Sequence, residues 1–212
     1  MINSFQLHAV VEALANQDEI FYPWEVSATI KPYPFLRIWG SMTYQEIGVF
    51  MAYVVQYNHI DRLDSTKQVL QKVIEAKGLV LPGGLQAINV DREQVIQPSC
   101  CCGLEGWREW YDFLENGESP WLGHDPSPWI EFRGDMIRIW SDGGLDDVVK
   151  NASYIDVNRS DYIRAMNLVA KDMQAFSFCI DSWAQEIGFE HSQELAQQID
   201  RCFNINTPHF HL

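Results

Sequence analysis

Apolar residues recur at helical spacing in six segments of the chain, because positions three and four apart share one face of a helix. The predicted helices are residues 4–15, 43–58, 65–77, a three-turn segment after Cys102, residues 161–187 and a short helix from residue 192. Boundary residues support these predictions. Thr43 and Glu46 form a capping-box pattern at one start, and Gly78, Gly117 and Gly188 follow three predicted ends.

The remaining apolar segments follow strand patterns. Residues 20–40 are rich in aromatic and β-branched side chains and are interrupted by prolines, which predicts two short strands, the second at 35–39. Residues 78–90 read GLVLPGGLQAINV and predict a strand, a turn and a second strand. Residues 129–140 predict a hairpin with its turn at 133–135.

Helices and antiparallel hairpins mix without regular β-α-β alternation, which predicts an α+β fold. We expect the long C-terminal helix to pack on a sheet. The chain has 212 residues, 47% of them hydrophobic, which is enough to bury a substantial core. Because no linker divides the sequence, a single α+β domain over 1–212 is predicted.

The N-terminal sequence MINSFQLHAVVEALANQDE lacks the basic leader and the long apolar core of a secretory signal peptide. No apolar run reaches the length of a membrane-spanning helix. We therefore expect a cytoplasmic protein. Five cysteines, an odd number with three of them consecutive, do not indicate a disulfide framework, so thiols are expected.

Charge is distributed unevenly along the chain. The net charge is −14, which argues against nucleic acid and anionic membrane as partners, since both require a basic surface. Residues 105–147 hold eleven acidic and three basic residues, a net charge of −8, together with five of the eight tryptophans. One interpretation is a solvated acidic face over an aromatic core. The other is a recognition surface for a basic protein, in which charge steers the encounter and aromatic side chains anchor it.

The recognition hypothesis selects acidic and aromatic side chains of this segment. The loop SPWLGHDPSP contains three prolines, so an exposed tryptophan on it would lose little entropy on binding. Turn formation by Asp before Pro is the structural alternative for His124 and Asp125. The predicted partner-binding residues are Glu105, Glu109, Asp112, Trp121, His124, Asp125, Asp142, Asp146 and Asp147.

The segment PSCCCGLEGWREW (98–110) raises the question of thiol chemistry. Zinc sites usually space their cysteines so that the side chains converge, whereas adjacent side chains at 100–102 are expected to diverge. A nucleophile is the second alternative, with Cys102 before a helix and His124 as its base. We favour packing, with small apolar thiols where the chain enters the helix, and we predict no metal, no cofactor and no catalytic residue.

Other chemical signals are weak. The C-terminal His209 and His211 could bind a metal, and at a frayed end adventitious binding is the favoured interpretation. The sequence contains no G-x-G-x-x-G, P-loop, G-x-S-x-G or H-E-x-x-H pattern. The acidic residues around 142–147 match no known cation-binding loop.

The region 98–142, which contains PSCCCGLEGWREW, SPWLGHDPSPW and IRIWSDGG, resembles uncharacterised bacterial proteins found as immunity partners of polymorphic toxins. The resemblance implies an acidic cytosolic protein that binds and blocks a basic toxin domain, often a nuclease. A nuclease must be basic to hold its substrate, so an acidic inhibitor competes for the same surface. We therefore expect a non-enzymatic immunity or inhibitor protein. The alternatives are a Cys/His-dependent enzyme and a regulatory module with another basic protein partner.

Overall fold

The computed structural model describes residues 4–14, 20–26, 34–60, 65–145 and 152–206. The fold is α+β, as predicted, with helices and two antiparallel sheets. The first sheet has the strand order β2-β1-β3-β4 and the second has the order β5-β6-β7. The strands are β1 (Phe5–Glu12), β2 (Phe35–Ile38), β3 (Gly83–Asn89), β4 (Gln94–Ile96), β5 (Trp129–Arg133), β6 (Met136–Trp140) and β7 (Tyr154–Asn158).

Most of the predicted helices are confirmed. The helices that the structure describes are α1 (Tyr44–Tyr57), α2 (Thr66–Glu75), α3 (Glu109–Asn116), α4 (Arg159–Glu186) and α5 (Ser192–Cys202). The capping box is present at α1, where the Glu46 carboxylate accepts from the Thr43 N–H at 2.7 Å. Gly117 and Gly188 take the left-handed conformation expected after α3 and α4, with φ of 74° at both positions. The prediction of Gly78 as the end of α2 is wrong, because that helix already ends at Glu75.

The predicted helix over residues 4–15 is wrong, because Phe5–Glu12 form the strand β1. Phe5, Leu7 and Ala9 are buried and the residues between them are half-buried, which is the two-residue period of a strand. Val10 and Val11 are also buried, so the apolar set matches a helical pattern as well. Because Ala9, Val10 and Val11 are consecutive buried residues, the apolar positions do not alternate strictly, and the pattern that distinguishes a strand from a helix is weakened.

Three further predictions need correction. Residues 79–82 are not a strand, and only the second strand predicted in 78–90 is present, as β3. The helix predicted after Cys102 is a single 3₁₀ turn, Leu104–Gly106, followed by the shorter α3. Residues 20–26 are irregular where the first strand of 20–40 was expected, and 27–33 lie outside the described residues. The hairpin of 129–140 is confirmed as β5 and β6.

The chain divides into two compact units, and the prediction of a single domain remains a prediction. The first unit comprises Met1–Val10 and Pro82–Ala170, and the second comprises Val11–Leu81 and Lys171–Leu212.

An aromatic cluster forms the core of the first unit. The Tyr162 ring of α4 stacks on Phe5 of β1 at a centroid distance of 6.5 Å, which packs the helix on the sheet. Its hydroxyl donates to the Trp110 carbonyl oxygen at 2.9 Å, inside the core. Phe113 of α3 lies 6.1 Å from the Tyr162 ring and stacks on Phe132 of β5 at 4.5 Å. These contacts fix α3, and therefore the loop that follows it.

The second unit has its own apolar core. The Phe50 ring of α1 meets the Phe176 ring of α4 edge to face at 4.8 Å. Trp24 and Trp183 form a similar pair at 5.0 Å, and the Trp24 indole N–H donates to the Gly48 carbonyl oxygen at 2.9 Å. Edge-to-face pairs of this kind add to the free energy gained by burying the rings.

Candidate functional site

Two loop segments of the first unit, 99–102 and 121–124, lie side by side. Cys100 and His124 form an isolated antiparallel bridge, in which the His124 N–H donates to the Cys100 carbonyl oxygen at 3.0 Å. The Ser99 N–H donates to the Leu122 carbonyl oxygen at 2.9 Å, and the Ser99 hydroxyl donates to the His124 carbonyl oxygen at 2.8 Å. Three hydrogen bonds between short segments hold the cysteine run against the proline-rich loop.

Gly123 allows this close approach. Its φ of 100° lies in the region that favours glycine. A β-carbon at this position would lie 2.6 Å from the Cys100 carbonyl oxygen and 2.6 Å from the Ser99 carbonyl carbon. Because both contacts are with backbone, no side-chain movement could relieve them. Glycine is therefore required for the two segments to meet.

Trp121 is exposed and yet held in place. Its indole N–H donates to the Cys101 carbonyl oxygen at 2.9 Å, and its backbone N–H donates to the Glu109 carboxylate at 3.1 Å. The residue remains 47% exposed. The Trp121 and His124 rings lie 6.4 Å apart. The structure thus brings Glu109, Trp121 and His124, three of the predicted partner-binding residues, into one neighbourhood.

Cys100, Cys101 and His124 form a cluster of metal-binding side chains. The two sulfur atoms lie 3.5 Å apart, and one ligand atom from each of the three residues lies within 4.8 Å of the others. The expectation that adjacent thiols diverge is wrong here. Cys101 has a φ of 65°, in the left-handed region, whereas adjacent side chains point to opposite sides only in an extended chain.

Cys102 is not suited to act as a nucleophile. Its side chain is 6% exposed and lies 3.3 Å from the Trp121 carbonyl oxygen, to which the thiol donates. Burial, together with the negative charges of Glu105 and Glu109, raises the pKa of the Cys102 thiol to about 12. Because the thiolate is the reactive form, this environment opposes reactivity. This environment disfavours the alternative prediction that paired Cys102 with His124, and the exposed thiols beside His124 are Cys100 and Cys101.

Asp125 lies next to the imidazole. Its Oδ2 is 3.3 Å from His124 Nδ1, and the Asp125 and His124 side chains are 93% and 40% exposed. Asp125 has a φ of 58°, and the chain bends at Asp125 and Pro126, where a turn was expected from Asp before Pro. This bend presents a carboxylate and an imidazole together to solvent.

The outer face of α3 is acidic. Glu109, Asp112 and Glu115 follow at intervals of three residues and all three are exposed. The apolar residues of α3, Trp110 and Phe113 among them, are buried. The intervals i, i+3 and i+6 keep the three carboxylates on one side of the helix, and the first of them binds the Trp121 N–H.

Two other predicted residues have local structural contacts. Glu105 is half-buried, and its carboxylate lies over Gly103, close enough that a β-carbon on Gly103 would collide with it. Asp142 Oδ1 accepts from the Ser127 N–H at 2.9 Å, the Ser127 hydroxyl at 3.1 Å and the Gly143 N–H at 2.8 Å. The backbone N–H groups of Ser127 and Gly143 lower the pKa of Asp142.

Asp146 and Asp147, which were predicted to face the partner, are outside the described residues. The same is true of His209 and His211.

Sequence reasoning missed the outward face of the second sheet. Trp129 and Trp140 are paired across β5 and β6, and their rings stack at 6.2 Å. Tyr154 of β7 meets the Trp140 ring at 5.1 Å. The hairpin over 129–140 was predicted, but the register that pairs Trp129 with Trp140 was not, and no pattern in the sequence had predicted β7. The result is an aromatic surface beside the charged pair of Arg138 and Asp156, whose closest atoms are 2.7 Å apart.

Comparison with known protein-family models, curated proteins and solved structures finds no match to this chain. Within the described part of the chain, no helix combines the length and the apolar character needed to cross a bilayer.

Proposed function

We propose that this protein is an immunity-type inhibitor that binds and neutralises a basic toxin domain through the surface around Trp121. The observation that carries the proposal is the state of that side chain. It is 47% exposed, while its indole and backbone N–H groups are both hydrogen-bonded. An aromatic side chain that is fixed before binding loses little conformational entropy when it enters a pocket.

The charge around Trp121 supports a basic partner. Glu109 contacts the Trp121 backbone, and Asp112 and Glu115 continue along the exposed face of α3. Asp125 adds an exposed carboxylate in the loop that carries Trp121. An array of one sign of charge speeds the encounter with a surface of opposite sign, and a central aromatic residue slows dissociation. We use the name acidic patch for the surface formed by the carboxylates of Glu109, Asp112 and Asp125 together with the Trp121 ring.

The experiment begins with capture of the partner from the source cells by tagged protein, with washes at low and then high salt. A retained basic protein is then purified, and its association and dissociation rates with the inhibitor are measured. We expect Glu109→Lys with Asp112→Lys to slow association roughly tenfold or more at low salt. Trp121→Ala should instead accelerate dissociation, with a loss of about 2 kcal/mol in binding free energy.

A control variant changes the net charge of the protein by the same amount at a different place. Glu190 and Glu194 are exposed acidic residues of the second unit, so Glu190→Lys with Glu194→Lys alters total charge by the same amount. This control should slow association far less than the patch variant does. Equal effects of the two double variants would reject the acidic patch as the binding surface, as would recovery of no basic protein at any salt concentration.

Inhibition separates an immunity protein from a regulatory module. The activity of the captured partner, nuclease activity first, is measured with increasing amounts of this protein. Under our proposal the activity falls to background at a one-to-one ratio, and the Trp121→Ala variant shifts the titration to higher concentration. Binding without loss of partner activity would favour the regulatory alternative.

A further inference from the structure

We propose that Cys100, Cys101 and His124 together bind one Zn²⁺ ion, a function separate from partner binding. Their ligand atoms lie within 4.8 Å of one another, and the two sulfur atoms are 3.5 Å apart. With Zn–S bonds of about 2.3 Å, two sulfur ligands of a tetrahedral ion are about 3.8 Å apart. The thiols are therefore within a few tenths of an ångström of the spacing that a shared zinc ion requires.

The donor set favours zinc among the common divalent ions. Thiolate sulfur is a soft ligand, and imidazole nitrogen is bound well by zinc, while magnesium and calcium prefer oxygen. Two thiolates and one imidazole provide three of the four ligands of a tetrahedral site. Cys100 and Cys101 are exposed and His124 is partly exposed, so water reaches the fourth position. Three protein ligands with an accessible fourth position form an open zinc site.

The backbone holds the ligands in place before any metal binds. The bridge between Cys100 and His124 fixes the distance between the cysteine segment and the histidine. The Trp121 indole N–H donates to the Cys101 carbonyl oxygen at 2.9 Å and holds the backbone of Cys101 in place. The left-handed conformation of Cys101 brings its thiol to the same side as the thiol of Cys100. A non-glycine residue in this conformation is uncommon and requires support from its surroundings.

Asp125, which lies beside the ligand His124, favours binding of a cation at the site. Its carboxylate oxygen lies 3.3 Å from His124 Nδ1 and adds negative charge next to the imidazole, which favours a cation there. Binding replaces the protons of the two thiols by the metal, and these protons pass to solvent. The step involves no change of oxidation state.

The test uses the purified full chain, reduced with a phosphine and freed of metal, and Zn²⁺ alone as the probe. Competition with a chromophoric chelator should give one zinc per chain with a dissociation constant below about 1 μM. Co²⁺ should give a thiolate-to-cobalt charge-transfer band and the visible bands of tetrahedral coordination. Proton release measured in weak buffer should accompany zinc binding and should be lost in the cysteine variants.

Single variants identify the ligands. Cys100→Ser, Cys101→Ser and His124→Ala should each lower zinc affinity more than about 100-fold, because each removes a direct ligand. Cys179→Ser is the matched control, since this thiol belongs to α4 and not to the cluster, and it should bind zinc like the wild type. The unfolding midpoint of each metal-free variant, measured by circular dichroism, shows whether the fold is retained.

Folded Cys100→Ser and His124→Ala variants with wild-type zinc affinity would overturn the proposal. Absence of stoichiometric binding by the reduced wild type would overturn it as well. Neither result depends on the protein partner, so failure of the zinc site and failure of the proposed inhibitor function are observed in separate experiments.

Discussion

Gly123 lies so close to Cys100 that a β-carbon on it would be 2.6 Å from the Cys100 carbonyl oxygen. This contact joins the loop carrying Trp121 to the cysteine segment. Gly123→Ala must separate the two segments or strain them, because the φ of 100° also disfavours alanine. We expect a loss of about 3 kcal/mol in the free energy of unfolding, measured by urea denaturation.

Gly134→Ala is the control for this prediction. Gly134 also has a positive φ, 61°, but no atom lies within 4 Å of the position that its β-carbon would take. Alanine there should cost about 1 kcal/mol through backbone conformation alone. Similar losses for both variants would show that the close approach of Gly123 to Cys100 contributes nothing to stability.

The helices were predictable where the capping residues and the apolar period of the sequence matched the burial of the helix in the folded protein. The Thr43–Glu46 capping box and the apolar period after it mark α1, because capping and burial depend on residues close in sequence. The strand β1 was not predictable, since the consecutive apolar residues Ala9, Val10 and Val11 interrupt its alternation and its apolar residues also satisfy a helical period. Strand pairing joins residues that are distant in sequence, and a local sequence pattern carries no information about such pairing.

The candidate site was predictable only in part. Charge and composition selected Glu109, Trp121 and His124, and the structure brings these side chains into one neighbourhood. The convergence of Cys100 and Cys101 depends on one left-handed residue, whose identity as cysteine gives no sign of that conformation. Sequence patterns therefore gave the chemistry of the segment but not its geometry.

Thiol reactivity should separate Cys102 from its two neighbours. Cys100 and Cys101 are exposed, whereas Cys102 is 6% exposed and burial raises its pKa to about 12. A raised pKa lowers the thiolate fraction at neutral pH, so alkylation of native protein at pH 8 should label Cys100 and Cys101 first. Peptide mapping by mass spectrometry after timed alkylation measures this. Denatured protein is the control, in which all three thiols should react at similar rates, and rapid labelling of native Cys102 would contradict its burial.

The indole N–H of Trp24 should stabilise the second unit. It donates to the Gly48 carbonyl oxygen at 2.9 Å in a buried position, and the ring packs edge to face on Trp183. Trp24→Phe removes the donor and leaves a cavity, so we expect a loss of about 2 kcal/mol in the free energy of unfolding. Trp39→Phe is the control, because Trp39 is only half-buried, and it should lose less than about 1 kcal/mol. Equal losses from the two variants would argue against a specific contribution of the Trp24 hydrogen bond.

Arg138 and Asp156 form a bidentate salt bridge, with Nε–Oδ1 and Nη2–Oδ2 distances of 2.7 Å and 2.8 Å. The Arg138 guanidinium also lies over the Tyr154 ring, 3.7 Å from its centroid. A double-mutant cycle with Arg138→Gln and Asp156→Asn separates the pair from that ring contact. We expect a coupling free energy of about 1 kcal/mol at pH 7, since both groups are partly exposed to solvent.

The coupling between Arg138 and Asp156 should depend on pH in a defined direction. Hydrogen bonds from Arg138 lower the pKa of Asp156 below its ordinary value of 3.8. Near that value the unfolded chain binds more protons at this carboxyl group than the folded chain does, so stability rises with pH there. The coupling should therefore be complete above about pH 5 and should decline as pH falls through the folded pKa. Urea denaturation of the four proteins of the cycle at pH 7 and at successively lower pH measures it. A coupling that stays constant to the lowest pH at which the protein folds would show that the Asp156 charge does not contribute.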